Sequence, residues 1–180
     1  MAKIVQKFKV DGKEVIIRYL DSKDAKGIFR MQELLFKEKA MTGMNEKPNM
    51  KDVKASLKRK VKSIKDKKII DLVVESDGKI EGRIRITKVD DDCQDHVGTM
   101  LIHVTNELRG KGITAKMLSC GIKESKKVLK IKIITLGVMA GNKRAIGFYK
   151  KNGFKEHGLF KKGIQYFGKL VDEVLMVKYL

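Results

Sequence analysis

A glycine-bearing stretch in the second half of the chain constrains the fold more than any other feature. Residues 104–114 (VTNELRGKGIT) join the apolar run Thr99–Val104 to a helical pattern over Ala115–Val128. This order predicts a strand, a tight loop and the N-terminus of a long helix. Gly110 and Gly112 tolerate backbone angles that side chains forbid, so several backbone N–H groups can turn toward one point ahead of the helix.

A point of this kind is typical of a phosphate-binding site. Free N–H groups and the positive end of the helix dipole attract an anion, and Arg109 and Lys111 add two full charges beside it. The Rossmann pattern G-x-G-x-x-G and the P-loop pattern G-x-x-x-x-G-K-S/T do not occur here. The loop therefore favours a phosphate-bearing ligand but not those two nucleotide-binding folds.

A second motif follows the nearly continuous apolar strand predicted over Ile131–Met139. Residues 142–154 (NKRAIGFYKKNGF) predict a helix that begins at Asn142, a residue suited to capping, and ends before Gly153. Tyr149 comes seven residues after Asn142, so the two side chains share one helix face two turns apart. Both residues also have ordinary structural roles, Asn142 as a helix cap and Tyr149 as a core aromatic.

Together the two motifs resemble the GNAT superfamily of acyl-CoA N-acyltransferases. That family has a pyrophosphate loop of the form Gln/Arg-x-x-Gly-x-Gly/Ala, which residues 109–114 fit except for Thr114 at the last position. Residues 142–154 match the second hallmark, N-x-x-A-x-x-x-Y-x-x-x-G-F, at every defined position.

The resemblance implies a fold and a cosubstrate. We expect residues 1–180 to form a single N-acetyltransferase domain of α/β class. Its central sheet would be mixed and mostly antiparallel, with about seven strands splayed between strands 4 and 5 and about four flanking helices. Acetyl-CoA would be the cosubstrate, with no metal. The residues expected to bind it are Ile102, His103 and Val104 through their backbone, the loop residues Arg109, Gly110, Lys111, Gly112, Ile113 and Thr114, and the helix residues Asn142 and Tyr149.

The resemblance also implies catalytic roles. Tyr149 would protonate the departing coenzyme A thiolate, and a backbone N–H near Val104 would stabilise the oxyanion. Family members often carry a general-base Glu in the strand before the loop, but Gly98–Val104 contains no carboxylate. Glu81 is therefore our first candidate for the base, followed by a water relay or one of Asp95, His96 and His103.

The other elements follow from periodicity. The pattern predicts a first strand at Lys13–Leu20, a helix at Lys23–Lys39, a rim segment at Ala40–Met50 and a basic amphipathic helix at Lys51–Lys68. Hairpins are predicted for Ile69–Glu75 with Lys79–Val89, and for Glu156–Lys162 with Leu170–Tyr179. On the strand Lys79–Val89, strict alternation places Ile80, Ile84 and Ile86 on one face and Glu81, Arg83, Arg85 and Thr87 on the other.

Composition limits the remaining function classes. A chain of 180 residues with 42% hydrophobic content is one domain with a sizeable core. No apolar run is long enough for a membrane span or signal peptide, so we expect a cytoplasmic protein without a membrane partner. Two cysteines are too few for a disulfide framework. The formal net charge of +19 attracts polyanions, although lysine-rich solubilisation explains it without a nucleic-acid partner.

The predicted function is transfer of an acetyl group from acetyl-CoA to a primary amine by direct attack in a ternary complex. Polyamines, protein N-termini or lysines, and small-molecule amines all stay open as acceptors, as does a homodimer. Local acidity near the rim, from Glu33, Glu38 and Glu46, would suit a polycationic acceptor. The alternative is a non-catalytic acyl-CoA sensor or RNA-associated binding module, favoured by the missing strand carboxylate and the basic helix at Lys51–Lys68.

Overall fold

Eight strands form one mixed sheet in the computed structural model, which describes residues 2–180. The strands are β1 (Ile4–Val10), β2 (Lys13–Tyr19), β3 (Ile69–Ser76), β4 (Lys79–Lys88), β5 (Val97–Val104), β6 (Ile133–Met139), β7 (Lys155–Tyr166) and β8 (Lys169–Tyr179). The α-helices are α1 (Ala25–Lys37), α2 (Met50–Lys65), α3 (Ile113–Glu124) and α4 (Lys143–Lys151). A π-helical turn, Ser125–Leu129, continues α3 to a left-handed Lys130.

The order of strands across the sheet is β1-β2-β3-β4-β5-β6-β8-β7, and only the central pair, β5 and β6, is parallel. These two strands pair over Val97–Thr99 and Ile133–Thr135 and then separate. The expected α/β fold with a splayed, mostly antiparallel sheet is therefore confirmed. The sheet has eight strands where about seven were expected, because the hairpin through Asp11 and Gly12 adds β1 at one edge.

Different helices pack on the two faces of the sheet. α3 and α4 pack on one face against the larger core, whose fully buried members include Ile84, Ile86 and Ile134. α1 and α2 cover the β3–β4 part of the opposite face, over a smaller core that contains Val73 and Ile80. The lysine-rich helix α2 thus docks on the sheet with an exposed basic face, as amphipathic helices ordinarily do.

Two local predictions are corrected. Ile80 does not share a face with Ile84 and Ile86, since a β-bulge between Ile80 and Gly82 inserts Glu81 and reverses the alternation. The terminal hairpin is longer than expected: residues 163–166 belong to β7, and the turn is confined to Phe167 and Gly168.

Among residues 2–180, no helix combines the length and the apolar composition needed to cross a membrane.

Candidate active site

The separation of β5 from β6 opens a cavity of about 510 Å³ at the C-terminal end of β5. Its walls come from β5, the loop before α3, one face of α4 and the segment that follows α1. Most of the residues predicted to bind acetyl-CoA line it: Ile102, His103, Val104, Arg109, Gly110, Gly112, Thr114, Asn142 and Tyr149. The two sequence motifs, about thirty residues apart, therefore meet at one cavity.

The N-terminus of α3 presents free donors to this cavity. Gly112 caps the helix in the left-handed conformation, with φ +72°, and Gly110 also has a positive φ, +81°. No side chain caps the helix, so the first N–H groups have no partner within it. Thr114, in the first turn, lines the cavity and adds a hydroxyl where the motif usually has Gly or Ala. The donor set suits a pyrophosphate.

Arg109 holds this loop to its surroundings. Its guanidinium donates to the carbonyl oxygen of Val104 (3.1 Å) and to the side chain of Asn106, and it forms an ion pair with Glu38 (2.8 Å). Arg109 thereby connects the end of β5 to the segment after α1. Its charge is already partly compensated by Glu38, so its contribution to anion binding is smaller than the motif alone suggests.

Lys111 and Ile113 do not line the cavity. The Lys111 ammonium lies 3.3 Å from Asp11, in the β1–β2 turn, and 4.0 Å from Glu107. Ile113 is 1% exposed and packs in the larger core. Any part that these two residues take in binding the cosubstrate would come from their backbone N–H groups.

α4 supplies the other wall. The Asn142 side chain accepts a hydrogen bond from the Ala145 backbone N–H (3.1 Å), so the capping role is realised while Asn142 also lines the cavity. Tyr149 is 9% exposed and makes edge contacts with Phe148 and Phe154. Burial raises the pKa of Tyr149 to about 12, and its hydroxyl has no hydrogen-bond partner within residues 2–180. The phenol is therefore protonated and free to donate.

His103 faces the cavity from β5 as an uncharged side chain. Burial, and then the charges of Arg83 and Arg85, lower its pKa to about 4, although a hydrogen bond with the backbone of Thr42 partly opposes this. Within residues 2–180, the buried Nε2 atom of His103 has no hydrogen-bond partner. A neutral imidazole with one unused nitrogen can exchange a hydrogen bond with a bound molecule, but it is a weak base at neutral pH.

Glu81, the first candidate for the general base, is not among the residues that line the cavity. One carboxylate oxygen contacts Arg30 of α1, and the other accepts a hydrogen bond from the Thr105 hydroxyl (2.6 Å). The side chain borders a neighbouring groove instead. Its catalytic role stays a prediction, and it would require a bridging water or the release of one of these contacts.

Asp95 and His96 precede β5, whereas the cavity lies at the end of that strand. Seven residue steps of extended chain separate Val97 from Val104, a distance on the order of 20 Å. The structure therefore does not bring these two candidates to the cavity. Among residues 2–180, no group of His, Cys, Asp and Glu side chains is arranged to hold a metal ion.

One carboxylate near the splayed strands was missed by the sequence analysis. Glu173 on β8 lies opposite Met139, and its side chain leans across β6 so that the carboxylate covers Gly137. A side chain at position 137 would collide with it. The only signal in the sequence was the glycine itself, since a glycine inside a buried strand often marks a close approach.

Comparisons with known proteins agree with this geometry. A family model described as the acetyltransferase (GNAT) family matches residues 38–154. A GNAT-family acetyltransferase from Streptococcus pneumoniae is 23% identical, with a TM-score of 0.80 over 92% of this chain and 99% of the other.

Two further solved structures have the same fold. The ribosomal-protein-S5-alanine acetyltransferase from Vibrio fischeri is 20% identical, with a TM-score of 0.82 over 97% of this chain and 96% of the other. A putative acetyltransferase from Salmonella typhimurium with acetyl-CoA bound is 19% identical, with a TM-score of 0.78 over 92% and 94%. No curated protein sequence matches this chain.

Proposed function

This chain belongs to the acetyltransferase (GNAT) family, and from that premise we propose that it transfers the acetyl group of acetyl-CoA to a primary amine by direct attack in a ternary complex. As a member of the family it is an acyl-CoA N-acyltransferase with acetyl-CoA as cosubstrate. The observation that carries the proposal is the single cavity that joins the free N–H groups of α3 to the unpaired hydroxyl of Tyr149.

Acetyl-CoA has groups that suit each part of this cavity. Beyond Thr99, the edge of β5 that faces β6 has no strand partner, so its backbone groups can pair with the two amides of pantetheine. The backbone of Ile102–Val104 would make these contacts. The pyrophosphate would then lie on the N-terminus of α3, and the thioester would point between the strands toward Tyr149.

The proposed reaction forms one bond and breaks another. The amine nitrogen attacks the thioester carbonyl carbon, the C–N bond forms, and the C–S bond breaks. Tyr149 gives its proton to the departing thiolate, and the ammonium loses a proton to a base or a water. Glu81 is the sequence-based prediction for that base, and it would act through water because both of its oxygens are engaged.

The acceptor is proposed only by class. The Vibrio fischeri protein and a Brucella melitensis structure are both described as ribosomal-protein-alanine acetyltransferases. A peptide with a free N-terminal alanine is therefore the first acceptor to test. Polyamines, lysine side chains and small-molecule amines complete the panel, because a shared fold at about 20% identity does not transfer a substrate.

The test measures release of the coenzyme A thiol from acetyl-CoA with each amine. Amine-dependent release is expected from the unmodified chain, and Tyr149→Phe should lower kcat by about 10²- to 10⁴-fold with little change in acetyl-CoA affinity. Tyr179→Phe is the matched control, because Tyr179 is 72% exposed on β8. Acetyl-CoA binding without release for any amine would contradict the proposal, and an unchanged kcat in Tyr149→Phe would remove the tyrosine from the mechanism.

A further inference from the structure

The face of the sheet that carries α1 and α2 is covered only in part. The two helices pack over β3 and β4, but Leu101 on β5 and Leu175 on β8 are 39% and 36% exposed. In register, Leu101 lies opposite Arg85 of β4, and Leu175 lies opposite Gly137 of β6. These residues thus form one row across the sheet, open to solvent, where β5 and β6 have separated.

Two unpaired cations stand at one end of this row. Lys60 of α2 comes three residues after Leu57 and four before Ile64, so it lies on the stripe of α2 that faces the sheet. Arg85 comes from β4 beneath it. Within residues 2–180, neither side chain has an ion-pair or hydrogen-bond partner. Both side chains are partly buried, and a partly buried charge without a partner costs free energy.

The nearest carboxylate is already used. Asp71 is fully buried and forms a two-pronged ion pair with Arg83, with one N···O distance of 2.7 Å. Three cations therefore surround one carboxylate. Burial lowers the pKa of Arg85, and burial together with the charges of Arg83 and Arg85 lowers the pKa of Lys60 to about 8. Each cation would be stabilised by an anion placed between Lys60 and Arg85.

A carboxylate with no partner stands at the other end of the row. Glu173 covers Gly137 next to the separated strands, and within residues 2–180 it makes no ion pair or hydrogen bond. In a fully paired sheet Arg85 and Gly137 would be two strand spacings apart, on the order of 10 Å, and the separation of β5 from β6 makes the gap at least that wide. Opposite charges thus stand on either side of an opening between the strands, with the apolar side chain of Leu101 between them.

We infer that the acceptor is an amine that also carries a carboxylate or phosphate, with its anionic group held by Lys60 and Arg85 and its ammonium by Glu173. The inference rests on the proposed function and names the substrate class of that same enzyme. It differs from the expectation of a locally acidic rim suited to a polycation, which stays a prediction; of the three rim carboxylates, Glu38 is paired with Arg109.

The experiment compares acceptors in matched pairs. The pairs are 4-aminobutyrate with 4-aminobutyramide, O-phosphoethanolamine with ethanolamine, and the peptide Ala-Asp-Ala-amide with Ala-Asn-Ala-amide. The three pairs distinguish three kinds of anionic group: a free carboxylate, a phosphate and the acidic side chain of a peptide. In at least one pair, kcat/KM for the anionic member should exceed that of its neutral partner by tenfold or more, about the effect of one charge-assisted hydrogen bond.

Substitutions of Lys60 and Arg85 test whether these two cations cause the preference for the anionic acceptor. Arg85→Gln and Lys60→Gln should each raise KM for the anionic member by about tenfold, leave the neutral member unchanged, and keep the KM for acetyl-CoA. Arg85→Lys keeps the charge and should keep most of the preference. Lys58→Gln, an exposed lysine on the same helix, is the matched control.

The carboxylate is tested separately. Glu173→Gln should raise KM for both members of every pair, whereas Glu156→Gln, at an exposed carboxylate on β7, should not. Equal kcat/KM within all three pairs would overturn the inference and leave the proposed function intact. No acetylation of any amine by the unmodified chain, with acetyl-CoA bound, would overturn both. A preference that survives in Arg85→Gln and Lys60→Gln would overturn the assignment to these residues.

Discussion

Burial sets the protonation state of Tyr149 and His103 on the cavity wall. The pKa of Tyr149 rises to about 12 because the phenolate would lose its hydration, and the pKa of His103 falls to about 4 because the imidazolium would. Both side chains are therefore uncharged at neutral pH. In the proposed reaction, an uncharged phenol and imidazole would hydrogen-bond the thioester without a charge of their own, and Tyr149 would keep the proton that the departing thiolate needs.

His103 should also make stability depend on pH. Its pKa is about 6.5 in the unfolded chain and about 4 in the folded one, so between these values only the unfolded chain binds the proton. The contribution of His103 to the free energy of unfolding is fully present above pH 6.5 and is lost as the pH drops toward 4. Between pH 6.5 and pH 4, His103→Asn should therefore lose less stability than the unmodified chain, by up to about 3 kcal/mol.

Urea unfolding at pH 4, 5, 6 and 7 measures this effect. His157→Asn, at an exposed position on β7, is the control substitution and should follow the unmodified chain. If His103→Asn loses as much stability between pH 7 and pH 4 as the unmodified chain does, the imidazole is not held in its neutral form.

At the scale of elements, the site is the meeting of an open strand edge with a helix terminus. β5 stops pairing with β6 after Thr99, and α3 begins at a left-handed Gly112. In the proposed function, the strand edge would supply donors and acceptors for an amide chain, and the helix terminus would supply donors for phosphates. The bulge at Glu81 in β4 has a comparable local effect, because it turns Ile80 toward α1 and brings Glu81 to Arg30.

Gly112 gives a prediction about this terminus. A Cβ at position 112 would meet no protein atom within 4 Å, so Gly112→Ala strains the left-handed backbone without a collision inside the protein. The strain of about 1–2 kcal/mol should weaken acetyl-CoA binding roughly tenfold if the loop moves to relieve it. Titration calorimetry measures the affinity.

Gly147→Ala is the matched control. Gly147 lies inside α4, where a Cβ also meets nothing within 4 Å, and its backbone is helical. This substitution should stabilise the protein by about 0.5–1 kcal/mol and leave acetyl-CoA affinity unchanged. Equal affinity for the two variants would mean that the loop does not depend on the Gly112 conformation.

In the molecule as a whole, one sheet separates an apolar core from a partly charged layer. The core under α3 and α4 consists mostly of aliphatic and aromatic side chains, whereas the face under α2 contains the buried pair Asp71 and Arg83. Asp71 is the only carboxylate that forms an ion pair with the cluster of Arg83, Arg85 and Lys60 among residues 2–180. This cluster, which also lowers the pKa of His103, therefore contains one ion pair.

Asp71→Asn should consequently be among the most damaging single changes. Breaking a buried pair leaves an uncompensated charge, and a loss of about 3–5 kcal/mol in the free energy of unfolding is expected. Asp66→Asn is the control, because its pair with Lys62 (2.6 Å) is exposed and should contribute less than about 1 kcal/mol. Urea denaturation compares the two variants. Similar losses would show that Arg83 finds another partner.

The residues that the sequence located well are those whose partners lie close along the chain. Gly110 and Gly112 directly precede the helix whose first N–H groups stay unpaired, and Tyr149 shares a helix face with Asn142. Helix geometry fixes both arrangements within a few residues of chain. The bulge at Glu81 broke a prediction that depended on strict alternation. One extra residue in a strand moves every side chain beyond it to the opposite face of the sheet. Sequence periodicity alone does not show where in the strand that extra residue lies.

The sequence by itself determined the fold class, the glycine-bearing loop before α3 and the helix that carries Tyr149, since each follows from local backbone preference and from apolar spacing. Only the tertiary structure decided which side chains meet across the sheet. Glu173 covers Gly137, and Lys60 lies near enough to Arg85 for their charges to interact, because strand order and helix docking join segments that are 25 or more residues apart. Such contacts depend on packing in three dimensions, and no local pattern of residues specifies them.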